Sequence, residues 1–212
     1  RHGARRPDSM WKANWTESRQ RFVDWWNHEG LLIGMWGAPE SGRCLHETVA
    51  APPPPPSIDE RYCTAACRAA ENHFRLARSV FPADILPIAI TDLGPGSLAL
   101  FLGSTPQFAE DTVWFHPCIE TELEPEKLPP LRFDPTNRWW QLTEEIIRRC
   151  VDLSRGRYLV GCPDLIENVD VLSSLRGAQT LLLDMAERPE WVAQKIAEIN
   201  EVYFAAYERI YH

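Results

Sequence analysis

The residues best placed to do chemistry in this chain are carboxylates that follow short apolar runs. Leu86-Pro87-Ile88-Ala89-Ile90-Thr91 has strand length, and Asp92 comes directly after it, followed by Gly94-Pro95-Gly96. An acid at the C-terminal mouth of a strand stands where α/β proteins keep their ligands. There it hydrogen-bonds or protonates a substrate, and partial burial would raise its pKa toward neutrality. The same spacing also describes the N-cap of the next helix, or an Asx turn before Gly-Pro. Gly161-Cys162-Pro163-Asp164 repeats the layout, with Asp164 as a second acid or as a cap. Cys162 has the chemistry of a nucleophile, with no histidine near it in sequence to activate it. Cys63-x3-Cys67 and His116-x-Cys118 are two pairs that could together make a four-ligand zinc site, or else ordinary buried thiols. No GxSxG elbow is present. Trp25-Trp26 and Trp139-Trp140 are either sugar platforms beside acids or core residues.

Composition narrows the classes. The 212 residues are 44% hydrophobic and 25% charged, as in an ordinary soluble globular protein. The formal charge of −8 argues against nucleic acid, whose binders need a basic face, and against an anionic membrane surface. No apolar run reaches the roughly 18–20 residues that span a bilayer. The first residues are polar and basic, unlike a secretory signal. Residues 1–14 read as a tag-like or disordered arm, and 15–212 as one domain. Six cysteines without a signal peptide point to reduced thiols in the cytoplasm. Neither GxGxxG nor GxxxxGK[ST] occurs, so a Rossmann or P-loop nucleotide site is unsupported.

The elements that must position these residues are legible as periodicity and punctuation. Asn14-Trp15-Thr16-Glu17 predicts a capped helix over 15–29, with Phe22, Trp25 and Trp26 on one face. Leu31 to Trp36 predicts a buried strand. Pro52 to Pro56 predicts a stiff polyproline connection. Ser57-Ile58-Asp59-Glu60 opens a helical region to about 80, with a break near 62–64 and a stripe of Ala66, Ala69, Ala70, Phe74, Ala77 and Val80. The strand 86–91 follows, then a helix over 97–102 and a β-like run at 112–115. Residues 120–135 form an acidic, proline-rich connection. Thr136 caps a helix to about 154, with Trp140, Ile147 and Val151 inward. A strand at 158–162 precedes helices at 169–174, 178–187 and from Pro189 to the end. Strands separated by long helices require parallel pairing.

The run I-T-D-L-G-P-G-S-L-A-L-F-L-G at 90–103 resembles the uroporphyrinogen decarboxylase superfamily, in which a strand ends in Ser/Thr-Asp-Ile/Leu before an apolar helix and Leu-Gly. Tyr158 to Gly161 with Pro163, Gly177 to Met185, and Glu187-Arg188-Pro189-Glu190-Trp191-Val192 are similar to later parts of the pattern, and Asp111 to Phe115 resembles divergent, uncharacterised members. The resemblance covers about 15–212. Where the decarboxylases carry Arg-Gln-Ala-Gly-Arg, this chain reads Met35 to Arg43, with Arg43 a distant counterpart of one arginine.

The resemblance implies an α/β fold, a partial (β/α)8 TIM-barrel-like arrangement of parallel strands with helical insertions. Complete barrels take ~250 residues, so the chain reads as an N-terminal part. The implied activity is that of a methyltransferase-like or lyase-like enzyme on a small-molecule substrate. Asp92 is its catalytic acid, and Arg43, Asp164 and Trp36 contact substrate. A decarboxylase-like member needs no cofactor, whereas a methyltransferase-like member works with zinc and a corrinoid protein. Half a barrel also implies a homo-oligomer or a complementary barrel half. A carbohydrate-active α/β enzyme and a non-catalytic binding domain are the alternatives.

Overall fold

A computed structural model describes residues 10–34, 37–119, 127–165 and 168–212. The acidic run 120–126, within the predicted connection, and the tryptophan at 36 lie outside them. The fold is mixed helix and strand, with helix dominant and no closed barrel among the described residues. The chain divides into two compact units.

The first unit comprises residues 1–55, 65–91 and 146–161. It contains α1 (Trp15–Trp26) together with the helix Ala65–Arg78 and the strands Ile88–Ala89 and Leu159–Val160. In chain order the helices α2 (Ile58–Cys63) and α3 (Ala65–Arg78) precede strand β1 (Ile88–Ala89). Next come α4 (Ser97–Phe101), β2 (Thr105–Phe108), β3 (Val113–His116), α5 (Arg138–Ser154) and β4 (Leu159–Val160). The predicted strands at 86–91 and 158–162 are thus real but short. They pair in parallel, Ile88 with Leu159 and Ala89 with Val160. The Leu159 and Gly161 amides donate to Pro87 and Ala89 carbonyls at 2.8 and 3.0 Å. Glycine at 161 favours this approach, because a Cβ there would sit 3.1 Å from the Ala89 oxygen and 3.0 Å from Ile88 Cγ2 and would crowd both.

The other edge of β1 faces α3. Asn72 Oδ1 accepts from the Ile90 amide and its Nδ2 donates to the Ile90 carbonyl, both at 2.8 Å. Arg75 Nη2 donates to the Ile88 carbonyl at 3.1 Å. Two side chains thus do for this edge what a neighbouring strand would do.

Asp84 anchors the run that leads into β1. Its Oδ1 accepts from Arg21 Nε at 2.6 Å and from Ser18 Oγ at 3.1 Å, and its Oδ2 from the Ile33 amide at 3.0 Å. The Asp84 amide returns a bond to the Ile33 carbonyl at 2.9 Å. Ala83 has φ 48°. Its carbonyl accepts from Lys12 Nζ, Asn14 Nδ2 and Ser18 Oγ. Trp11 and Lys12, within the segment read as an arm, are therefore buried.

Two further expectations are corrected here. Leu31 to Gly34 is not a strand, and Leu31 and Ile33 are 72% and 59% exposed. A left-handed Gly30 precedes the run, and the two bonds between Ile33 and Asp84 are its described pairing. On α1 the buried residue is Ser18, while Trp25 and Trp26 are exposed, because the helix is held by polar bonds to Ala83 and Asp84.

The second unit comprises 56–64, 92–145 and 162–212. Its α6 (Asn168–Arg176), α7 (Ala178–Glu187) and α8 (Pro189–Tyr211) pack with α4 around Leu98, Leu100, Leu172, Leu175, Val192 and Ile199. β2 and β3 form an antiparallel hairpin. Asn137, rather than Thr136, caps α5: its Oδ1 accepts from the Trp139 and Trp140 amides, and its Nδ2 donates to the last carbonyls of α4. The buried face of α5 is Trp140, Thr143, Ile146 and Cys150, whereas Val151 is exposed. The break near 64 falls at Thr64, so Cys63 ends α2 and Cys67 lies in α3.

In α7, the buried Asp184 accepts from Arg176 Nε at 2.7 Å and Arg188 Nη1 at 2.8 Å. Asp184→Ala leaves the buried Arg176 guanidinium without its carboxylate and should cost about 3–5 kcal/mol, measured by chemical denaturation. A loss under about 1 kcal/mol would contradict this role. The Asp84 carboxyl lies below its ordinary 3.8, through the Ile33 amide first and then Arg21 and Ser18, against the opposing effect of burial. Its stabilising contribution is present above 3.8 and is lost as pH falls through the lower folded value. Asp84→Asn should therefore flatten the acid limb of a stability–pH profile, and an unchanged limb would contradict the assignment.

Candidate functional site

The predicted acids follow β1 and β4 along the chain. Thr91 Oγ1 donates to the Gly161 carbonyl at 2.8 Å, tying the two strand ends together. Asp92 and Cys162 are the next residues along each segment. The two strands run parallel, so the segments that carry Asp92 and Cys162 both follow C-terminal strand ends.

Asp92 is half-buried and makes the turn that its spacing allows. The Gly94 amide donates to its Oδ1 at 3.2 Å. Gly94 has φ 106°, and a Cβ there would meet Val113 at 2.8 Å. Ser97 Oγ accepts from the Leu93 amide at 3.3 Å and donates to the Gly94 carbonyl at 3.1 Å. The N-cap position of α4 is Gly96, so of the two structural roles considered for Asp92 the Asx turn is the one adopted. A carboxylate held by an Asx turn has a fixed direction, which suits a positioned acid as well as a scaffold.

Asp164 is exposed, two residues beyond Cys162. Desolvation and then the Asp164 carboxylate push the Cys162 thiol up. A thiol raised in this way stays protonated at neutral pH and is a weak nucleophile. Arg43 belongs to the first unit, on an exposed stretch where its amide donates to Ser41 Oγ. The strand-edge acids Asp92 and Asp164 are assigned to the second unit. Trp36 lies outside the described residues. Trp139 and Trp140 are buried, so they are core rather than sugar platforms.

Cys63 and Cys67 lie on different helices, and among the described residues no group of three or more His, Cys, Asp or Glu is placed to hold a metal ion.

Sequence reading missed a second polar constellation, in the first unit. His73 Nδ1 and the Tyr158 hydroxyl are 3.0 Å apart, and His73 Nε2 is 3.6 Å from Glu47, which pairs with Arg157. Trp11 packs against His73, His46 and Tyr158. Burial pushes the Tyr158 hydroxyl far up and the His73 imidazole down, and Cys150 beside them is pushed up to about 11. Tyr158 is 2% exposed and Glu47 41%, so the phenol and imidazole of this chain form a hydrogen-bonded core while its carboxylate end reaches the surface. Glu47, His73 and Tyr158 lie more than twenty positions apart, with no local signal to join them.

Alkylation of Cys162 followed by peptide mass spectrometry should be slow at neutral pH and accelerate as pH passes the ordinary thiol value of 9.0. A rate that has already saturated at neutral pH would show an activated thiolate instead. No family model matches the chain, and no curated protein or solved structure matches it either.

Proposed function

We propose that the chain belongs to a uroporphyrinogen-decarboxylase-like (β/α)8 barrel enzyme that works on a small molecule at the C-terminal edge of β1 and β4. The observation that carries this reading is the parallel β1–β4 pair, whose tied ends lead directly into Asp92 on one side and Cys162–Asp164 on the other. Asp92 is the acid that hydrogen-bonds or protonates substrate, with Asp164 as a second polar group. Asn72 and Arg75 occupy the other edge of β1, so closing a barrel requires a strand to displace them there. The reaction is lyase-like, or a methyl transfer with a corrinoid protein as partner.

The test separates the turn from the chemistry. Asp92→Asn keeps an oxygen to accept the Gly94 amide but removes the acid. Two assays cover the reaction types: decarboxylation of a porphyrinogen, and methyl transfer from methylcobalamin to a thiol. Asp92→Asn should lower turnover by about 10²-fold or more, the usual contribution of a positioned acid, with the melting temperature unchanged. Native-level turnover in the variant, or neither activity in the native chain, would overturn the reading.

A further inference from the structure

A separate cleft of about 680 Å³ lies in the second unit, lined by α2, β2 and the first residues of α5. It is within the size range of small-molecule sites. Its lining carries both signs of charge. Asp59 and Glu60 come from α2, and Arg138 comes from the start of α5. Glu60 already has a partner, since Thr64 Oγ1 donates to its Oε2 at 2.9 Å. Among the described residues, neither Asp59 nor Arg138 has a side-chain hydrogen bond or an ion pair.

Arg138 is nonetheless held in place. Its guanidinium lies 4.2 Å from the centre of the Trp139 ring. Trp139 in turn packs edge-on against Phe108, which stacks on Tyr62 at 4.4 Å. A guanidinium fixed on an indole has lost part of its rotamer freedom before any ligand arrives, and it presents a planar fork suited to a carboxylate. Phe108 and Pro106 add apolar surface to the same cleft. Cys63 also lines it; burial pushes that thiol up, so it acts as a neutral contact rather than an anion.

Opposite charges that share a cleft without pairing leave a gap that a ligand bearing both charges can bridge. A ligand with one charge would satisfy one group and set its apolar part against the other. We propose that this cleft binds a small zwitterion of the α-amino-acid class, with its carboxylate on Arg138, its ammonium on Asp59 and an apolar side chain against Phe108 and Pro106. The site shares no residue with the β1–β4 segment, and the assignment does not depend on the barrel reading.

Titration calorimetry of the full chain tests this with L-phenylalanine and L-leucine as probes. Phenethylamine and 3-phenylpropionate serve as analogues of phenylalanine that each lack one charge. L-Phenylalanine should bind saturably, and each analogue should bind at least about tenfold more weakly, as expected for one lost charge-assisted contact. Arg138→Gln should bring phenylalanine down to the level of phenethylamine. Asp59→Asn should bring it down to the level of 3-phenylpropionate. Both substitutions are at exposed positions, so the melting temperature should stay constant. No saturable binding of either amino acid, analogues binding as well as phenylalanine, or native affinity in either variant would overturn the proposal.

Discussion

Strand β1 has two rows of backbone groups to satisfy, and most of the first unit follows from how it does so. One row goes to β4 through the Leu159 and Gly161 amides. The other goes to Asn72 and Arg75 on α3. A two-stranded parallel sheet has little stability of its own, because both faces and both edges need cover. Here a buried amide and a guanidinium supply the cover on one edge. Gly161 allows the close approach on the other side, and Thr91 closes the end. Asp92 has a defined starting direction because this pairing holds its strand in place.

Both units rely on the same electrostatic device, a carboxylate with enough donors to make its charge tolerable. Asp84 gathers a guanidinium, a hydroxyl and an amide, while Asp184 gathers two guanidinium groups. Lys195 and Glu198 form a third such pair on α8, and Glu198 also accepts from the Leu131 amide. Such groups add little if they are fully compensated, and they cost several kcal/mol if one partner is removed. They therefore fix which segments meet. Asp84 joins Ile33 and α1 to the approach to β1, and Asp184 joins the end of α6 to the start of α8.

Helices were the most legible part of the sequence, because a 3.6-residue period and end signals are local. The helix that starts at Pro189, the break near Thr64 and the Ser57 cap could all be read directly. Failures came where tertiary contacts outweighed local pattern. Leu31 to Trp36 has strand composition, yet its described part finds no partner strand. Thr136 and Asn137 are both good caps, and Asn137 takes the role because it also reaches the carbonyls ending α4. The strand β2 was missed because Pro106 sits in it, which edge strands tolerate. The candidate edge was legible as two strand ends followed by acids. The turn that aims Asp92 was one of the alternatives read there. Asn72, Arg75 and Asp84 were not legible, because their partners lie up to 66 positions away.

The functional reading rests on one geometric claim: β1 and β4 are parallel neighbours whose ends open at the same edge. The Leu159 and Gly161 amides carry that pairing, and both are bonded to carbonyls of the β1 segment. Amide hydrogen exchange at these two positions tests it most directly. The account predicts strong protection at both, comparable with the buried turns of α3. Exchange at the rate of an open loop at either amide would contradict it.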